Sequence, residues 1–162
     1  MINIAFVCLG NICRSPMAEA IFSRLVEESG LKHSFRVTSF GTSDCEEGNP
    51  VYYPAAQTLK NHGITNFHHR AQMISLKDIK NSDYVIVMDH MNMRDIVRMT
   101  GGQYGEKIFK LGYFSGGDED VDDPWYTRDF ERAYDEIFRG CSAFLQYIVR
   151  EHANALDYDK RH

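Results

Sequence analysis

Ile2-Asn3-Ile4-Ala5-Phe6-Val7-Cys8-Leu9-Gly10-Asn11-Ile12-Cys13-Arg14-Ser15-Pro16 decides the fold of this chain. Ile2, Ile4, Ala5, Phe6 and Val7 form a nearly continuous apolar run, which suits a strand buried on both faces of a parallel sheet. After the run, Ser15 is placed to cap a helix and Pro16 fits its first turn. Ala18, Ile21, Phe22, Leu25 and Val26 then recur at helical spacing. The segment between strand and helix therefore ends at a helix N-terminus, where unpaired N–H groups and the helix dipole favour an anion.

Two residues in that segment carry chemistry. Thiols beside helix N-termini or cations ionise more readily than the ordinary cysteine, with its pKa of about 8.5, which makes Cys8 a nucleophile candidate. Arg14 offers a planar fork of donors that matches two oxygens of a phosphoryl group better than a lysine point charge. Gly10 permits close approach of the backbone, and Asn11 tolerates left-handed angles, so either residue can curl Leu9, Gly10, Asn11, Ile12, Cys13 and Ser15 around an anion. The competing reading makes Cys8 a core cysteine and Arg14 a surface cation. Strand, glycine, Ser-Pro helix start and arginine together favour the phosphate-binding loop.

Outward from this loop, Arg36 to Phe40, Tyr84 to Met88 and Lys107 to Leu111 read as three further strands. Helical patterns cover about Pro54 to His62 and Asn92 to Arg98, with a short turn near Lys77 to Lys80. A long last helix is marked by Phe130, Tyr134, Ile137, Phe138, Cys141, Leu145 and Ile148, with Thr127 as its cap. This alternation predicts an α/β fold: a three-layer sandwich around a four-stranded parallel sheet, flavodoxin-like or Rossmann-like, binding ligands at the carboxyl ends of its strands.

Composition sets the outer bounds. The 162 residues, 43% hydrophobic and 25% charged, suit one globular domain over 1–152 followed by a polar tail over 153–162. A net charge of −5 without a basic cluster argues against nucleic acid or an anionic membrane as partner. Met1 leads directly into the first strand and no apolar stretch is long enough to span a bilayer, so a cytoplasmic protein is expected. Cys8, Cys13, Cys45 and Cys141 form no zinc motif and are expected as free thiols.

Cleaving a phosphate ester also needs a proton donor for the leaving oxygen. Candidates lie in the glycine-led acidic stretch from Gly116 to Tyr126, whose carboxylates would raise one another's pKa. Residue type alone leaves Asp118, Asp120, Asp122 and Asp123 open, beside the plainer reading of a solvated acidic surface.

Cys8-Leu9-Gly10-Asn11-Ile12-Cys13-Arg14-Ser15-Pro16, followed by Met17-Ala18-Glu19-Ala20, resembles the signature of low-molecular-weight protein tyrosine phosphatases. Val37 to Ser43, His62-Gly63-Ile64, Val87-Met88-Asp89 with Asn92, and Asp123-Pro124-Trp125-Tyr126 resemble further segments of that family in the same order. The resemblance implies a phosphomonoesterase working through a phosphocysteine, independent of metal or other cofactor. It selects Asp123, the residue before the proline, as acid and then base. It makes Trp125 and Tyr126 walls for an aromatic leaving group, and hence a phosphotyrosine-containing protein or small aryl phosphate the substrate. Ile12 points the same way, since similar phosphoarginine enzymes carry threonine there. It also implies a supporting network of Asn11, Ser15, Asp89 and one of His68 and His69.

One departure stands out. Where many relatives carry an aromatic residue, this chain has Cys45, a smaller substrate wall expected to be a filler rather than a rim thiol. Cys13 shares the loop with Cys8, so it is read either as the partner of a protective, reversible disulfide or as a small residue packed beneath the loop. Other readings of such a loop fit less well. An arsenate reductase needs redox cysteines that Asn81 to Arg98 lack, a phosphocysteine carrier has no need of Arg14, and a noncatalytic phosphopeptide module would dispense with nucleophile or acid. A monomer or weak oligomer is expected.

Overall fold

The computed structural model describes residues 1–158, so the last four residues of the expected tail lie outside the described residues. Its strands are β1 (Ile2–Cys8), β2 (Phe35–Gly41), β3 (Tyr84–Val87) and β4 (Ile108–Lys110), all parallel, in the order β2-β1-β3-β4. The helices are α1 (Arg14–Glu28), α2 (Tyr53–Asn61), α3 (Leu76–Asn81), α4 (His90–Thr100), α5 (Pro124–Thr127) and α6 (Phe130–Glu151).

Alternation along the central strand builds the three layers. Ile4 and Phe6 of β1 join α1 and α6 in one apolar cluster, where the Phe6, Phe22 and Phe144 rings meet at centroid distances of 5.3 to 6.3 Å. Ala5 and Val7 face the other way, into a smaller cluster with Ile79 of α3 and Ile96 of α4. A strand buried on both faces must be apolar throughout, which is why β1 shows no alternation of apolar and polar residues. Beyond α6, Leu156 packs against the larger cluster, and the Asp157 N–H donates to Ser34 Oγ at 2.8 Å.

The four strands stand where the sequence places them, with no end shifted by more than one residue; β4 shortens to three residues because helical turns flank it at Gly105–Lys107 and Leu111–Ser115. Helix caps differ more. Ser15 is not a cap: α1 begins at Arg14, Cys13 is the N-cap residue with no side-chain hydrogen bond, and Ser15 lies in the first turn with its hydroxyl engaged elsewhere. Thr127 ends the short helix α5, and Asp129 caps α6 through the Arg132 N–H. The turn near Lys77 proves to be a helix, held at its start by the reciprocal Ser75 and Asp78 bonds of a capping box.

Candidate active site

The loop leaving β1 is shaped by Asn11, whose φ of 59° is left-handed, while Gly10 adopts no positive φ. Every polar group of the Asn11 side chain is used. Nδ2 donates to Ser15 Oγ at 2.8 Å and Ser39 Oγ at 3.1 Å, and Oδ1 accepts from the Gln72 N–H at 2.9 Å. Ser39 in turn donates to Glu19 at 2.7 Å, and burial holds the Glu19 carboxyl above its usual pKa against the lowering effect of that bond. Gly41 supports the loop from below, where a Cβ would stand 2.6 Å from the Leu9 carbonyl.

His69 and His68 are separated by geometry. The half-buried His69 meets the Asn11 carbonyl through Nε2 at 2.7 Å, and burial lowers its pKa although that contact opposes the shift. His68 is exposed and lines a depression beside α2 that His69 also borders, and among the described residues it makes no such contact to the loop.

Cys8 lies buried at the floor of the loop. Its Sγ is 3.0 Å from Ser15 Oγ and receives the Ser15 N–H at 3.4 Å. Ser15 accepts from Asn11 and has one proton to donate, to Cys8 or to the Phe40 carbonyl at 3.2 Å. The loop can thus direct both an N–H and an O–H donor at a charged sulfur. Cys13 is also buried and free; burial, with Cys8 and Asp123 adding to it, pushes its thiol up to about 12, so it stays protonated at neutral pH.

Arg14 is 2% exposed. Nη1 donates to Asp89 at 2.6 Å and to the Val121 carbonyl at 2.8 Å, and Nη2 approaches Asp123 at 3.4 Å. Burial by itself would lower its pKa, but Cys8, Asp123 and Asp89 outweigh that and hold the guanidinium charged. Asp89 is fixed independently as the N-cap of α4, in a reciprocal capping box with Asn92.

The four candidate carboxylates of the acidic stretch separate in space. Asp118 and Asp120 turn to Lys110, and Asp122 faces Arg132 at 3.7 Å. Asp123 lines the cleft above Cys8 and caps α5 by accepting the Trp125 N–H at 3.0 Å. This cleft, about 190 Å³, is bounded by residues 8–14, Cys45, Glu46, Asp123, Trp125 and Tyr126. Trp125 is braced by Tyr52 at a centroid distance of 4.8 Å, and Arg128 lies over the other ring of that pair, 5.4 Å from the centroid of Tyr52.

Two features correct or extend the sequence reading. Cys45 is no filler: it is exposed at the cleft edge, because Ser43 Oγ accepts its N–H in a tight turn that turns the residue outward. Glu46 lines the cleft directly beside Cys45, whereas Tyr52, Gln72 and the Val121 carbonyl carried no local sequence signal, since each meets the site through a residue remote along the chain.

A buried thiol in a phosphate-sized loop at the carboxyl end of a parallel sheet, with an arginine and a carboxylate beside it, defines the class of cysteine-dependent phosphate-ester enzymes. The family described as low molecular weight phosphotyrosine protein phosphatase matches residues 3–154, and the chain belongs to it. It is 40% identical over 149 residues to the human low molecular weight phosphotyrosine protein phosphatase, covering 89% of this chain and 94% of the relative. With low molecular weight protein-tyrosine-phosphatase PtpA of Staphylococcus aureus it shares 37% over 152 residues, covering 93% and 96%. Among solved structures, YfkJ from Bacillus subtilis superposes with a TM-score of 0.90 at 38% identity, covering 93% of this chain and 96% of that one. Drosophila arginine phosphatase superposes with a TM-score of 0.81 at 36% identity, covering 89% and 96%.

Proposed function

We propose that this enzyme hydrolyses phosphotyrosine monoesters in two steps, with Cys8 as nucleophile, Arg14 holding the phosphoryl group and Asp123 moving the proton. Cys8 sulfur attacks phosphorus, the P–O ester bond breaks, and the Asp123 proton goes to the departing oxygen. Water then attacks the phosphocysteine and gives its proton to Asp123; the S–P bond breaks, releasing phosphate and restoring the thiolate. The N–H groups of residues 9–15 and the Arg14 fork meet the charge on the phosphoryl oxygens.

The observation that carries this reading is the convergence on one cleft of Cys8 and Arg14, neighbours in a single loop, with Asp123, which lies 109 positions beyond Arg14. Trp125 and Tyr126 beside the acid offer aromatic surface for a tyrosyl ring, and Ile12 lines the same cleft. Cys45 and Glu46 supply the remaining rim. Residues 1–152 act as one domain, and the substrate is a phosphotyrosine-containing protein or small aryl phosphate. The net charge of −5 suits neither nucleic acid nor an anionic membrane as partner, and no helix among the described residues is long and apolar enough to cross a membrane. A cytoplasmic monomer or weak oligomer completes the reading.

The deciding experiment is hydrolysis of para-nitrophenyl phosphate in the presence of a chelator by wild type, Cys8→Ser and Asp123→Asn. Wild type releases phosphate and Cys8→Ser does not; an inert wild type or an active Cys8→Ser would falsify the mechanism. A phosphotyrosyl peptide is consumed faster than a phosphoarginyl one, and Ile12→Thr narrows the ratio. The opposite preference in wild type would make this an arginine phosphatase.

A further inference from the structure

The segment carrying Asp123 cannot hold itself in place. From Gly116, whose φ is 90°, to Asp123 it forms neither helix nor strand. Its position rests on a few contacts to the sheet. The Val121 N–H donates to the Met88 carbonyl at 2.9 Å, and the Val121 carbonyl accepts from Arg14. The adjacent residue, Asp120, is held by its side chain: Oδ1 accepts from Lys110 Nζ at 2.8 Å and from the His90 N–H at 3.1 Å, and Oδ2 meets His90 Nδ1 at 2.6 Å.

Lys110 is suited to this task. It is the last residue of β4, in register with Val87 of β3, so its backbone belongs to the rigid sheet. Its side chain is 11% exposed. Asp118, its other partner, is 92% exposed and adds little, because water screens such a pair. Asp120, at 25%, is the partner that counts. Burial opposes ionisation on both sides, yet Asp120, together with Asp118, raises the Lys110 pKa, and Lys110, together with His90, lowers that of Asp120.

We propose that the Lys110–Asp120 ion pair is a clamp that positions Asp123 for proton transfer. This rests on the reading of Asp123 as the acid. The clamp fixes the side chain of Asp120 to the sheet edge while Arg14 fixes the carbonyl of Val121, so consecutive residues tie the acid both to the scaffold and to the phosphate-binding cation. Lys110 and Asp120 line no part of the catalytic cleft, and they act through Asp123.

The test is the dependence of kcat/KM on the pKa of the leaving alcohol across aryl phosphates from para-nitrophenyl to phenyl. Poor leaving groups need the acid most, so misplacing it steepens the dependence. Lys110→Met lowers kcat/KM for phenyl phosphate about tenfold more than for para-nitrophenyl phosphate, and inorganic phosphate inhibits the variant as it does wild type. Lys110→Arg keeps the wild-type slope. Asp120→Asn repeats the steeper slope and serves as the reading if Lys110→Met fails to fold. An equal loss across all leaving groups, or no loss, overturns the clamp. Asp123→Asn is measured alongside: if it leaves the slope unchanged, the acid assignment itself fails, whereas a steep Asp123→Asn beside a wild-type slope in the clamp variants removes the clamp alone.

Discussion

The site is made of two loops at the same end of one sheet, and they are built in opposite ways. Apart from exposed Leu9 and half-buried Gly10, residues 8–15 are buried and closely bonded: Asn11 alone joins Ser15, Ser39, Gln72 and His69, and the Thr42 and Ser43 N–H groups hold the Cys8 and Leu9 carbonyls. Residues 116–123 are largely exposed, glycine-led and attached at Asp120, Val121 and Asp123. A phosphate cradle must keep its donors aimed while charge builds on sulfur and oxygen, so rigidity serves it. An acid that must pass its proton to a departing alcohol and then receive one from water needs a more open setting. The arginine joins the two, bonding Asp89, the Val121 carbonyl and Asp123 at once.

This contrast breaks most sharply at the reacting groups. Cys8→Ser is expected to cost about 10⁴-fold or more in kcat, while inorganic phosphate still binds. Asp123→Asn is expected to cost on the order of 10²- to 10³-fold, since the phosphate-binding loop continues to work without the acid. Equal losses in the two variants would count against the division of labour.

Asn11→Ala strikes the rigid loop without touching the sulfur. Alanine disfavours the left-handed backbone by about 1–2 kcal/mol and leaves buried partners of Asn11 unpaired at a further 1–3 kcal/mol or so. Urea unfolding should therefore show a loss of about 2–5 kcal/mol together with at least a tenfold fall in kcat. The matching exposed change in the acid loop, Asp118→Asn, should alter stability by less than about 0.5 kcal/mol.

The pH response sharpens the comparison further. Burial lowers the His69 pKa, so the unfolded chain takes up this proton more readily than the folded one. The stability from neutral His69 is complete above the unfolded value of about 6.5 and is lost as pH falls through the folded value. Between pH 7 and 5, the melting temperature of His69→Gln should fall less steeply than that of wild type; parallel curves would show that the histidine is not coupled to the loop. The smallest effect is expected at the rim. Cys45→Tyr should lower KM for a phosphotyrosyl peptide by about two- to fivefold through added ring contact, with kcat unchanged, whereas an unchanged KM would place the peptide elsewhere.

Much of this architecture was legible in local pattern. The apolar run before Cys8 and the helical spacing after Pro16 mark β1 and α1, because burial on a parallel sheet and on a helix face each leaves a periodic trace. Ser15 was misread as a cap, since a serine at a helix start is locally indistinguishable from one whose hydroxyl is taken by Cys8, Asn11 and Phe40. Thr127 was misread for the same reason, with Asp129 two residues on doing the work. Cys45 defeated local reasoning because cysteine is commonly buried, and only the turn at Ser43 exposes it.

By itself the sequence determined an α/β chain with a phosphate-binding loop, because strand and helix periodicity, a residue fit for a left-handed turn and a helix N-terminus all act over a few neighbouring residues. Tertiary structure alone decided which residues work together. Arg14 finds Asp89 75 positions away and Asp123 109 positions away, Asn11 meets His69 rather than His68, and Asp120 meets a lysine fixed by the register of β4. Those pairings follow from strand order and register, which are settled by burying both faces of the sheet at once, and no short window of sequence contains that constraint.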